Sequence, residues 1–216
     1  VYKRQTSGLA LSVMTSTLTT TWMAPLVLLF PLILQHTVFA SVDRAMRSMA
    51  ASLSDPLTSL GNRRQFTDFC DDAFPPDMDG TLIGVFIDLD NFKRLNDSKG
   101  HDAGDEALVC TGRIIRETIR ESDLACRIGG EEFAILLNTV TPREGVAIAE
   151  RVRAAIEREL ERFDVTASIG VTASMSGETA ADFIRRGDVC MYHAKQSGKN
   201  RISTSWDNTE SDLEAA

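Results

Sequence analysis

The apolar residues of this chain recur with more than one period, and the changes of period mark out its elements. Trp22 to Ala40 (WMAPLVLLFPLILQHTVFA) runs nineteen residues without a charge. As a helix it rises roughly 28 Å, close to the hydrocarbon thickness of a bilayer. Arg44 and Arg47 follow at once and suit a cytoplasmic flank. The expectation is a membrane-spanning helix, with Pro25 and Pro31 tolerated where neighbours satisfy the freed backbone groups. A packing helix from an upstream region is the alternative, and Gln35 and His36 favour it. Val42, Met46, Met49 and Leu53 then recur at 4-3-4 spacing, which fits a short coiled seam between two copies or packing on the same chain. Asp55-Pro56 ends that helix.

From here to about Thr204 the pattern reads as one continuous domain. Thr81–Asp88 (TLIGVFID) is an apolar run ending in acid, the signature of a strand covered on both faces. Ala107, Leu108, Ile115 and Ile119 fall on one face of a helix over Ala103–Ile119. Asp123–Ile128 and Glu132–Asn138 read as short strands divided by Gly129-Gly130. Thr141-Pro142-Arg143-Glu144 is a capping box with proline at the first helical position, opening a helix to about Glu161. Val165–Ser174 alternates apolar and polar, a half-buried strand, and Thr179–Gln196 is a helix closed by Gly198. A glycine hairpin demands antiparallel neighbours, so the pattern predicts an α/β (α+β) sandwich, not a doubly wound sheet.

Composition narrows the picture. With 43% hydrophobic and 25% charged residues the 216-residue chain can bury a core. A net charge of −8 offers no basic field for nucleic acid. Residues 1–40 hold Lys3 and Arg4 and no acid, so the first forty residues differ in environment from the rest. Cys70, Cys110, Cys126 and Cys190 lack the spacing of a zinc site or a disulfide framework and read as buried, reduced thiols. Opening on Val1, the chain reads as a piece of a longer protein. The expected division is a transmembrane segment in 1–40, a linker helix in 41–54, one folded domain in 55–204 and a disordered acidic tail in 205–216.

Three constellations carry chemistry. Asp88-Leu89-Asp90-Asn91-Phe92-Lys93 sets a carboxylate where a hydrophobic strand emerges, a place suited to a hard cation. The turn after it offers backbone N–H groups and Lys93, the ingredients of a phosphate cradle. An ordinary strand-end turn is the plainer reading of that segment by itself. Arg127-Ile128-Gly129-Gly130-Glu131-Glu132-Phe133 sets two adjacent carboxylates on a tight turn, which calls for solvent or a shared cation. Asn96-Asp97 and Gly100-His101-Asp102-Ala103-Gly104-Asp105 supply an amide and a carboxylate able to hydrogen-bond a guanine edge. His101, with no nucleophile nearby, reads as structural.

Together these segments resemble the GGDEF family of diguanylate cyclases, in its GGEEF form at Gly129–Phe133. Asp55-Pro56-Leu57-Thr58-Ser59-Leu60-Gly61-Asn62-Arg63-Arg64 is similar to the family's opening motif, and Ala194-Lys195 with Ser197-Gly198-Lys199-Asn200 to its closing motif. The resemblance covers about 150 of the 216 residues, in order and at the expected spacings. It implies a palm-like fold, a mainly antiparallel central sheet flanked by helices. It implies synthesis of cyclic di-GMP and two pyrophosphates from two GTP, with Mg²⁺ or Mn²⁺ as cofactor and a homodimer as the working unit. By the same resemblance, Asp88, the Leu89 carbonyl, Glu131 and Glu132 hold metal, and Asp88, Glu131 and Glu132 are the catalytic positions. Asn96 and Asp105 read guanine; Asn91, Phe92, Lys93, Lys195 and Lys199 grip the triphosphate. Arg120 and Asp123 form an RxxD site for cyclic di-GMP as inhibitor, though an ion pair on a solvated face also explains that pattern. Two positions depart from the family: Ser59 replaces a usual Gly, and Lys199 replaces the commoner Arg, keeping charge but losing the bidentate fork.

With the N-terminal helix as anchor, the expected location is the bacterial inner membrane, catalytic domain in the cytoplasm. Two other classes of function compete: a degenerate module that binds nucleotide without turnover, and a relay between a sensor and another output domain. Loss of a metal or guanine position would mark the first, and no such position is lost. A further domain after the catalytic one would mark the second, and the chain ends at Ala216 in a short polar tail.

Overall fold

The computed structural model describes residues 29, 31–32, 34–43, 53–74, 82–138 and 141–206. The chain divides between residues 52 and 53 into two units.

In the first unit the described residues are helical, and Leu32, Val38 and Phe39 are exposed. Gln35, His36, Thr37 and Ser41 interrupt the apolar run, and the Thr37 and Ser41 hydroxyls donate back to main-chain carbonyls of the preceding turn. Among the described residues no helix is long and apolar enough to cross a membrane. That overturns the membrane-spanning reading of Trp22–Ala40, and with it the membrane anchor and the inner-membrane location. The seam positions Met46 and Met49 and the tail from residue 207 lie outside the described residues.

The second unit is a six-stranded mixed sheet with helices on both faces. Its strands are β1 (Gly61–Asn62), β2 (Leu82–Asp90), β3 (Leu124–Arg127), β4 (Glu132–Asn138), β5 (Thr166–Ala173) and β6 (Arg201–Thr204). Their order is β1-β3-β4-β2-β5-β6. The inner pairings β3–β4, β4–β2 and β2–β5 are antiparallel, while β1–β3 and β5–β6 at the edges are parallel. The helices are α1 (Arg63–Ala73), α2 (Phe92–Lys99), α3 (His101–Thr118), α4 (Pro142–Glu159) and α5 (Ala180–Gln196).

The unbroken apolar run of β2 follows from its central place. All nine residues are buried, and alternate side chains feed two cores. Ile83, Val85, Ile87 and Leu89 face α2, α3 and α4; Leu82 and Phe86 face α1 and α5 with Phe66, Cys70 and Phe183. Gly84 and Gly170 let the second layer approach, since a Cβ at either would collide with Phe183 or with the α5 backbone. Cys70, Cys126 and Cys190 are buried and in no disulfide, whereas Cys110 is only half-buried. The expected capping box forms: Thr141 Oγ1 accepts from Glu144 N, and Glu144 Oε2 accepts from Thr141 N.

Candidate active site

The site forms where β2, the β3–β4 hairpin and the C-terminal end of α5 meet. β2 ends at Asp90, and Asn91 turns the chain into α2 through a left-handed conformation (φ 63°). Asparagine tolerates that region better than most residues. The hairpin is pinned to β2 by Leu89 N donating to Glu131 O (3.2 Å), and closed by Ile128 N donating to Glu132 O (2.9 Å). Gly129 leaves room for the Glu132 carboxylate to fold back over the turn, which a Cβ there would push aside. Beside the hairpin lies a cavity of about 580 Å³ whose lining includes Arg63, Phe66, Asp88, Glu132, Asp188 and Lys195.

Asp88 is the most perturbed acid of this site. It is 6% exposed, and burial pushes its pKa up to about 6 despite the ion pair from Lys195 Nζ to Oδ2 (2.7 Å). Glu131 and Glu132 push it further in the same direction. Its other oxygen, Oδ1, is buried and has no hydrogen-bond partner. A buried carboxylate oxygen left this way costs free energy that a hard cation would recover. Among the described residues no group of three or more His, Cys, Asp or Glu side chains converges as a finished metal cage. Asp88 with Glu131, Glu132 and a strand-end carbonyl nonetheless fits a divalent cation that keeps water or substrate oxygens in its shell.

The remaining expected residues fall on both sides of the turn. Phe92 is buried; Lys93, Asp105 and Lys199 are exposed. Asn96, one turn into α2, has a buried Oδ1 with no partner. Gly104 makes room for it, since a Cβ there would meet that oxygen and the Phe92 ring. An unfilled amide acceptor suits the N–H donors of a guanine edge. Lys199 Nζ reaches Asn91 Oδ1 (2.9 Å), so two of the expected phosphate-gripping residues touch directly. Arg120 and Asp123 lie elsewhere, in the turn before β3, with that strand between them and the hairpin. Asp123 Oδ2 accepts from Arg120 N (3.0 Å), and its Oδ1 is buried without a partner.

Three contributors have roles that the sequence did not assign. Arg127 donates to Gly130 O through Nε and Nη2 (3.1 and 2.8 Å) and pairs with Asp55 (3.4 Å), clamping the hairpin to the start of the unit. Burial alone would raise the Asp55 pKa, but hydrogen bonds from Thr58 and the Arg127 charge hold it below the usual range. Asp188 on α5 has its pKa raised by partial burial and then by Glu132. Asp90 is buried among hydroxyls. Arg127, directly before the hairpin, and Asp90, two residues after Asp88, stand inside the quoted motifs, whereas Asp188 carries no such signal.

The family described as "Diguanylate cyclase, GGDEF domain" matches residues 52–201. The chain is 40% identical over 134 residues to Diguanylate cyclase A of Treponema denticola, covering 59% of this chain and 36% of that protein. It thus spans only about a third of that curated relative. Among solved structures it resembles the GGDEF domain of DgcB from Caulobacter crescentus in complex with c-di-GMP (TM-score 0.66, 27% identity, 71% of this chain and 95% of that one). It also resembles the active GGEEF domain of a diguanylate cyclase from Vibrio cholerae (TM-score 0.63, 32% identity, 67% and 96%).

Proposed function

The chain belongs to the GGDEF-domain diguanylate cyclase family, and from that premise we propose that it condenses two GTP into cyclic di-GMP and two pyrophosphates. One observation carries the reading. Among the described residues, the buried side-chain oxygens without a partner are those of Asp88, Asn96 and Asp123. They are the expected metal, guanine and product positions, and each is an acceptor held ready for a donor or cation.

In this reading Asn96 and Asp105 accept from the guanine edge. The Asn91 and Phe92 amides at the start of α2, with Lys93, Lys195 and Lys199, bind the triphosphate. A divalent cation, Mg²⁺ or Mn²⁺, held by Asp88, the Leu89 carbonyl, Glu131 and Glu132, supplies neutralisation of the phosphate charge. Arg127 fixes the hairpin so that Glu131 and Glu132 need not reorganise when charge develops. Each domain holds one GTP, so the 3′-hydroxyl that attacks one α-phosphorus comes from the nucleotide of a second copy, and the working unit is a homodimer. Cyclic di-GMP inhibits through Arg120 and Asp123, where a guanidinium and an unfilled carboxylate oxygen can take phosphate and guanine.

The test is incubation with GTP and Mg²⁺ followed by mass spectrometry for cyclic di-GMP. Asp88→Asn and Glu131→Gln are expected to lower turnover about 100-fold or more while preserving the circular-dichroism spectrum. Native turnover in either variant would remove them from the metal site.

A further inference from the structure

Asp90 lies two residues beyond Asp88 on the same face of β2 and is 2% exposed. Its donors are all neutral: Ser168 Oγ to Oδ1 (2.7 Å), Thr166 Oγ1 to Oδ2 (2.7 Å) and Asn200 N to Oδ2 (3.0 Å). A buried carboxylate held only by neutral donors is expensive to keep, and its partners show what it organises. Thr166 and Ser168 belong to β5; Asn200 closes the turn between α5 and β6. That turn runs through Gly198 (φ 118°), Lys199 (φ 64°) and Asn200 (φ 45°), three successive left-handed residues of which only the first is glycine. Such backbone persists where the surroundings over-determine it. Here Asn200 is held three times: by Asp90 through its amide, by Arg153 at Oδ1 (2.5 Å) and by Glu157 through Nδ2 (2.7 Å). The result is that Lys199 Nζ meets Asn91 Oδ1 at 2.9 Å, across the turn that opens α2.

We infer that Asp90 is a positioning residue for the triphosphate grip, holding the 198–200 turn in its left-handed form and so aiming Lys199 at the Asn91–Phe92 turn. The inference rests on the GTP-binding reading above. It differs from the role of Asp88, its strand neighbour: Asp90 touches no nucleotide and acts through Lys199.

The test separates triphosphate recognition from folding. Binding of 3′-deoxy-GTP, which lacks the attacking hydroxyl, and of GMP is measured calorimetrically on the full chain with Mg²⁺. In the native protein the triphosphate binds more tightly. Asp90→Ala is expected to shrink that preference about tenfold, the loss that follows when a charge-assisted contact is misplaced, and to leave GMP affinity nearly unchanged. Asp90→Asn restores most of it, because the amide oxygen can still accept from Asn200 N while the Ser168 hydroxyl turns to accept. In Lys199→Met the preference falls alike, and adding Asp90→Ala to it costs nothing further. Native preference in Asp90→Ala, or full additivity with Lys199→Met, overturns the inference. Should Asp90→Ala not fold, Thr166→Val and Ser168→Ala each remove one donor and are expected to cost about threefold; an unchanged preference in both overturns it equally. A native protein that binds GMP as tightly as the triphosphate overturns the GTP-binding reading itself.

Discussion

Asp88 holds its proton to about pH 6 in the folded chain, against 3.8 for the ordinary side chain. Between those values the folded form binds more protons than the unfolded one, so the Asp88 contribution to stability is complete below pH 3.8 and lost as pH rises through 6. The penalty above pH 6 is about 3 kcal/mol in metal-free protein. Denaturant titrations from pH 4 to 7 in chelator are expected to show Asp88→Asn gaining on the native chain as pH rises. Parallel curves for the two proteins would show that the carboxyl is not perturbed. At this scale the sequence is legible where chemistry demands a residue type: the acids quoted at a strand end and beside two glycines do come together, Glu131 and Glu132 acting on Asp88. Asp90 and Asp188 are not legible, because the neighbours that give them roles come from β5, the α5–β6 turn and the hairpin, distant in sequence.

Elements were legible in proportion to their periodicity. The runs at β2, β4 and β5 and the faces of α3, α4 and α5 come through within a few residues. α2 does not, because Phe92–Lys99 is only eight residues long and buries just Phe92 and Leu95, so a turn is the simpler reading. β1 and β6 have two and four residues and pair in parallel at the sheet edges, which no local pattern encodes. The packing of β5 on α5 makes a separate prediction. A Cβ at Gly170 would collide with backbone atoms of Gly187 and Met191, which cannot rotate away. Gly170→Ala is expected to destabilise the chain by about 1–3 kcal/mol, and to weaken GTP binding through displacement of Lys195 on α5. A denaturation midpoint equal to the native one would show that the helix can shift freely.

For the whole molecule, the proposed reaction needs two nucleotides on two copies. Specific activity is therefore expected to rise with protein concentration and level off as the pair saturates. A flat dilution series from a protein that stays monomeric would rule that out. The corrected N-terminal reading belongs to this scale as well, since length and hydropathy over Trp22–Ala40 suggested a bilayer span that the described helix, with its polar interruptions, does not provide.

The ion pair between Lys195 and Asp88 makes the site its own counter-ion. The ammonium occupies one oxygen of the carboxylate proposed to hold metal, and it is also a cation proposed to hold phosphate. Metal binding at the open oxygen, Oδ1, would neutralise the carboxylate and loosen its hold on the ammonium, and nucleotide arriving alone would draw the ammonium away and strand a buried anion. With both present, the metal would neutralise the carboxylate and the released ammonium would be free for the phosphate, so each ligand would ease the binding of the other. The affinity of GTP for the chain should then rise with Mg²⁺ by the same factor as that of Mg²⁺ rises with GTP. Lys195→Met should shrink this mutual factor beyond what metal–phosphate contact alone supplies, and an unchanged factor would show that the pair is only a bystander.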